Sequence, residues 1–147
     1  GEKAMKYKCD DGGREAAGFK GYANDCVTRA IAIAAEKPYQ EVYDVLNEMA
    51  KNERTGKRKS RKSSSRNGVF RFTYEKYLLS LGFKWTPTMS IGSGCQVHLR
   101  ETEIPQIGRL VVSVSKHMTA VIDGVIHDTH NPDRNGWRCV YGYYSKA

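Results

Sequence analysis

The chain has 147 residues, a formal charge of +8 and a hydrophobic fraction of 39%, with nine Tyr, four Phe and two Trp. That is enough chain and aromatic surface for one core, which excludes disorder throughout. No apolar run reaches 18 residues and no charged-then-apolar leader is present, so the expectation is a cytoplasmic chain without a membrane span and with reduced thiols.

In chain order, residues 6–23 read as irregular, with a turn at Asp10-Asp11-Gly12-Gly13. Residues 24–35 predict a helix. Asn24 or Asp25 supplies its N-cap, and its middle is apolar almost all round, as in a buried helix. Pro38 suits the start of a second helix, with Val42, Val45, Leu46 and Met49 as its apolar stripe.

A basic tract follows. Between Lys51 and Arg66 lie eight basic residues and one acid, so nearly all of the net charge sits there. Ser63-Ser64-Ser65 and Asn67-Gly68 give it loop composition, and a flexible basic loop is expected over residues 51–69 of a single domain spanning 1–147. Lys57, Arg58, Lys59, Arg61 and Lys62 are its candidate contacts for nucleic acid or an acidic partner. A solvated loop is the plainer reading of the same charges.

Tyr74, Tyr77, Leu78 and Leu81 predict a third helix closed by Gly82. Residues 83–94 read as a short strand and a Gly/Ser-rich loop, and residues 95–103 as a short helix or irregular segment. The period then changes to that of strands: residues 110–115, 117–122, 125–129 and 137–144. Helices first and an antiparallel sheet second is an α+β pattern.

The Asp123-Gly124 dipeptide is a two-residue hairpin signal, and it fixes a register: Ile122 faces Val125, Ala120 faces His127, Thr119 faces Asp128 and His117 faces His130. Alternation then places His117, Thr119, Val121, Ile126, Asp128 and His130 on one face, with Asp128 diagonal to His117. A carboxylate beside an imidazole holds it in one tautomer. Cys26 lies in the first turn of a helix, where a thiol is acidified and backbone N–H groups can bind an oxyanion. Cys26, His117 and Asp128 are therefore the candidate nucleophile, base and orienting acid, and Asn24 with the Cys26 N–H the candidate oxyanion donors.

The order Cys26, His117, Asp128, on a helix start and then a hairpin, resembles the papain-like cysteine peptidase superfamily. Asn24-Asp25-Cys26 is similar to the Asp-Cys start of its NlpC-type and related branches, and residues 117–129 to their His-strand-turn-strand-Asp element. The resemblance covers residues 22–36 and 109–129. It implies a papain-like fold, helices on an antiparallel sheet, and hydrolysis of an amide, peptide or isopeptide bond in a peptide or protein substrate through a thioester. One departure stands out: where papain-type enzymes carry an oxyanion Gln, six residues before the cysteine, this chain has Lys20.

No cofactor is expected. His117, Asp128 and His130 lack a well-spaced fourth ligand, so no metal is expected either. Cys9, Cys95 and Cys139 have no catalytic context, His127 reads as structural, and Trp85 and Trp137 as core or groove lining. The competing reading is a non-catalytic binding protein of the same fold, acting through the basic tract.

Overall fold

The computed structural model describes residues 4–56 and 61–147. Among these, the elements in chain order are β1 (Lys6–Cys9), α1 (Cys26–Ala35), α2 (Tyr39–Ala50), α3 (Arg71–Ser80), β2 (Lys84–Pro87), β3 (Arg109–Val114), β4 (His117–Ile122), β5 (Val125–Asp128) and β6 (Val140–Lys146). The α+β class holds, with three helices and a six-stranded sheet of order β1-β5-β4-β3-β6-β2. No helix among the described residues is long and apolar enough to cross a membrane.

The sheet is mixed rather than antiparallel. β1 runs parallel to β5, with Lys6 opposite Val125 and Cys9 opposite Asp128. Residues 6–9 read as irregular in the sequence because all four are exposed, so no alternation of burial marks the strand. Its place comes from backbone pairing at a sheet edge. β2 adds to the other edge, antiparallel to β6.

α1 is apolar nearly all round because it is packed from two sides. Ala30, Ile31 and Ala34 lie in a core with Val42 and Leu46 of α2, Leu78 of α3, and Val111, Ala120 and Tyr144 of the sheet. A second core covers the opposite sheet face, where Leu110, Val112, Val121 and Ile126 meet Met5, Leu99 and Ile104 from loops. Coverage on both faces explains why Leu110-Val111-Val112 is buried without interruption. α3 ends as its Gly predicts: Gly82 adopts φ +93°, Phe83 N–H reaches Leu78 O at 3.1 Å and Gly82 N–H reaches Leu79 O at 3.0 Å, a Schellman closure.

Two expectations need correction. Asp25 occupies the N-cap position of α1, yet neither it nor Asn24 caps with a side chain; the Asp25 carboxylate is turned inward to two arginines and a tyrosine. Cys95 and Cys139 are joined as a disulfide with Cα atoms 5.9 Å apart, against the expectation of reduced thiols. The segment before β3 is irregular and lies along the start of β6: Val140 N–H bonds Val97 O at 2.8 Å and Leu99 N–H bonds Arg138 O at 2.8 Å. That long-range pairing brings the two sulfurs together and leaves no trace in local sequence.

Lys57, Arg58 and Lys59 of the basic tract lie outside the described residues. Arg61 stacks over Phe70, and Lys62 Nζ donates to Lys51 O at 3.0 Å. The serines that follow are partly internal. Ser65 is fully buried, its Oγ donating to Tyr43 O and its N–H to Asn47 Oδ1. Buried Glu53 accepts from the Ser63 N–H and the Thr73 hydroxyl.

Gly142 of β6 faces the Trp85 ring, and a Cβ there would collide with the ring and with Thr86 O, which would lie 2.8 Å away. The indole is itself fixed between Tyr144 and Arg71. Gly142→Ala is therefore expected to destabilise the protein by about 2–3 kcal/mol, read as a lower urea midpoint at unchanged slope.

Candidate active site

The site is built where the start of α1 meets the starts and ends of β4 and β5. Cys26 is the first residue of α1, so its N–H is among the unpaired donors of the helix start. Asp123 and Gly124 both have positive φ, and the hairpin has the register read from them: Ile122 with Val125, Val121 with Ile126 and Ala120 with His127. The two-residue turn Ser115-Lys116, closed by the Val114–His117 pair, brings His117 back beside Cys26.

Strict alternation does not extend to the two catalytic candidates. Val121 and Ile126 pack into the core away from α1, as their parity requires. His117 and Asp128 share that parity, yet His117 interacts with Cys26 and Asp128 reaches Arg29, both on α1. His117 is the first residue of β4 and Asp128 the last of β5; each still pairs with its other neighbour, Val114 of β3 and Cys9 of β1, but both lie beyond the three rungs that join β4 to β5, at the end of the sheet that the start of α1 reaches.

The three predicted residues come together. His117 Nε2 lies 2.7 Å from Asp128 Oδ2. An Nε2–H donated to the carboxylate leaves Nδ1 as the nitrogen that can serve the Cys26 thiol. Burial raises the Cys26 pKa, but the hydrogen bond and charge of His117, the Met118 backbone N–H and the charge of Arg29 outweigh it and pull it below the ordinary thiol value. Burial lowers the His117 pKa, and hydrogen bonds and charges from Asp128 and Cys26 overcome this to carry it to about 9. Asp128 is buried, which raises its pKa, but His117 and the Thr129 N–H at 2.7 Å hold it below the ordinary carboxylate range. The Cys26 and His117 directions both shift the balance from the thiol–imidazole pair toward the thiolate–imidazolium pair.

Behind this pair is a buried ionic chain that the sequence reading missed. Arg29 lies one helical turn after Cys26 and faces the same side of α1. Its Nη1 pairs with Asp25, and its Nη2 stands 3.5 Å from Asp128 Oδ1. Asp25 also pairs with Arg14 Nε at 3.4 Å and accepts the Tyr39 hydroxyl at 2.6 Å. Burial and that carboxylate push the Tyr39 phenol well above its usual range. The Asp25/Arg29 spacing of four was a visible helix pair; the reach from Arg29 to Asp128, across 99 residues, was not.

A cavity of about 270 Å³ opens onto Cys26 and His117. Asn24 lines it and is exposed, its own N–H fixed to Arg66 O at 2.8 Å. Lys20 is absent from that lining and faces a separate cavity with Arg14 and Phe19. Gly68, Val69, Tyr74, Ser113 and Lys116 are among the further cleft walls, which sequence reasoning did not assign.

The β4–β5 ladder ends at Ala120–His127, short of the predicted Thr119–Asp128 and His117–His130 rungs, yet the His130 and His117 ring centroids lie 5.0 Å apart. Ligand atoms of His117, Asp128 and His130 lie within 4.8 Å of one another, so this is the group among the described residues that could hold a metal. The Arg29 guanidinium beside Asp128 opposes a second cation there. His127 pairs with Asp10 on the sheet edge, away from the thiol, at 3.0 Å. Trp85 is half-buried, but Trp137 is exposed and covered on one face by Arg100. No family model, curated protein or solved structure matches the chain.

Proposed function

We propose that this chain is a papain-like cysteine hydrolase acting on an amide bond of a peptide or protein. The observation that carries the reading is one arrangement: a helix-start cysteine acidified by a histidine that is itself 2.7 Å from a buried carboxylate, at the floor of an open cleft. Structural cysteines need neither the base nor the opening.

In this reading the Cys26 thiolate attacks the amide carbon. The oxyanion is received by the Cys26 N–H and the Asn24 side chain. His117 gives its proton to the leaving amine, and a thioester remains on Cys26. Water then attacks the thioester while Nδ1 of His117 accepts its proton, releasing the acid and restoring the thiol. Asp128 holds the ring and stabilises the imidazolium throughout.

The test is a peptide mixture incubated with the protein and read by mass spectrometry, with Cys26→Ala as the control. New termini that vanish in the control support the reading. No cleavage, together with Cys26 labelling no faster than exposed Cys9, overturns it.

Its pH profile has a defined shape. Turnover rises as pH passes the lowered Cys26 pKa and falls above about 9, where His117 loses the proton the leaving amine requires. Alkylation of Cys26 by iodoacetamide needs only the thiolate, so it is expected to show the acid limb without the alkaline fall. A turnover profile without an alkaline limb would remove His117 from the role of acid.

A further inference from the structure

A second cysteine in this protein is also served by a histidine and a carboxylate. Cys95 Sγ lies 3.7 Å from His98 Nε2, and His98 Nδ1 lies 3.1 Å from Glu103 Oε1. That carboxylate also accepts the His98 backbone N–H at 2.9 Å, and Arg100 Nη1 stands 3.1 Å from its other oxygen. The ring is braced edge-on by Trp137, 5.8 Å away. Cys95 is exposed and Cys139 half-exposed, so a reductant can reach their bond.

We propose that Cys95–Cys139 is a reversible dithiol–disulfide site, with His98 as its acid–base group, and that its closed form fastens the loop over residues 88–96 beside the Cys26 cleft. Thr88 ties one end of this segment to β6, its N–H to Tyr141 O at 3.0 Å and its hydroxyl to Val140 O at 2.8 Å, and the Val140 N–H ties the other end through Val97 O at 2.8 Å. Between these ties, residues 89–96 are exposed, and the described hydrogen bonds of Ser93 and Gln96 stay within the loop. The disulfide is thus the covalent tie between this exposed stretch and the residue that precedes β6. Met89 and Ile91 wall an apolar cavity of about 410 Å³ with Trp85 and Tyr141. Ser113 lines both this cavity and the Cys26 cleft. The value of the loop to substrate rests on the hydrolase reading; the sulfur chemistry does not.

Opening consumes one dithiol. Its thiolate attacks Cys139 Sγ, the Cys95–Cys139 bond breaks, and Cys95 leaves as a thiolate that takes the Nε2 proton of His98. The second thiol of the reductant attacks the mixed disulfide, releases Cys139 and closes its own disulfide. Two electrons pass to the protein. In the reverse sense, neutral Nε2 takes the Cys95 proton and the thiolate attacks an incoming disulfide.

The test uses the full chain with Cys26→Ser, which separates it from the hydrolase reading. The oxidised protein is treated with dithiothreitol at pH 7, quenched by alkylation and followed by intact mass. His98→Gln is expected to slow reduction about three- to tenfold, and Glu103→Gln by less, as leaving-group stabilisation is lost. Reduction is also expected to raise amide hydrogen exchange across residues 89–96 by roughly tenfold or more, and a Cys95→Ser/Cys139→Ser variant to match the reduced protein without reductant. Equal reduction rates with and without His98→Gln, both in the Cys26→Ser chain, overturn the role of His98. Full alkylation of both cysteines before reductant, or loop exchange unchanged by reduction, overturns the clasp.

Discussion

His117→Ala is expected to slow alkylation of Cys26 by on the order of 100-fold at pH 6, while Cys9 reacts at its former rate. The thiol is buried enough that its surroundings alone would raise its pKa, and His117 is the first of the groups that reverse this. Without the imidazole, the thiolate fraction at pH 6 collapses. A less acidic thiol gives a more nucleophilic thiolate, but that gain recovers only about half of the loss on a logarithmic scale. Asp128→Asn keeps the shape and removes the charge that carries His117 to about 9, so it is expected to cost about tenfold under the same conditions. Iodoacetamide rates over pH 5–9, resolved by peptide mass mapping, measure both. Unchanged Cys26 reactivity in His117→Ala would mean that the helix start and Arg29 acidify the thiol on their own.

Arg29→Met is expected to destabilise the protein by about 3–5 kcal/mol, a fall of roughly 2 M in the urea midpoint. Arg29 is the cation shared by Asp25 and Asp128, which are 2% and 4% exposed. Removing it leaves Asp25 with Arg14 and the Tyr39 hydroxyl, and Asp128 with His117, the Thr129 N–H and, at 3.5 and 4.0 Å, the Thr129 hydroxyl and the His130 ring. Arg29→Lys keeps a charge but cannot fork to both carboxylates, and is expected to lie between wild type and Arg29→Met. A loss under about 1 kcal/mol in Arg29→Met would show the chain of ions to be dispensable.

The same network fixes the sign of the pH dependence of stability. Asp128 is more acidic folded than its ordinary value of 3.8, so its contribution is present above that value and lost as pH falls through its lowered folded pKa. His117 is shifted upward, so its contribution is full below its ordinary value of 6.5 and is lost as pH rises through about 9. Stability is thus expected to fall at both ends, with Asp128→Asn flattening the acid side.

Much of this was legible in the residues themselves. The apolar run after Cys26 announced a buried helix, and Gly82 announced the end of α3. Asp123-Gly124 fixed the hairpin register, which set His117 within reach of Asp128. These are local signals: a helix face, a cap and a two-residue turn are determined by residues a few positions apart.

What only the tertiary structure decided joins distant segments. β1 shows no pattern because its side chains are exposed and its bonds are made by backbone alone. Asp25 looked like a cap because nothing nearby in sequence shows that Arg14 and Tyr39 will surround it. Arg29 gained its second carboxylate, and Cys95 its partner sulfur, only when loops and strand ends packed together. The meeting of His117 and Asp128 with α1 belongs here as well, since it depends on where the start of that helix packs against the ends of β4 and β5. Local chemistry chose the residues of the site; the packing of α1 on the sheet determined which charges surround them.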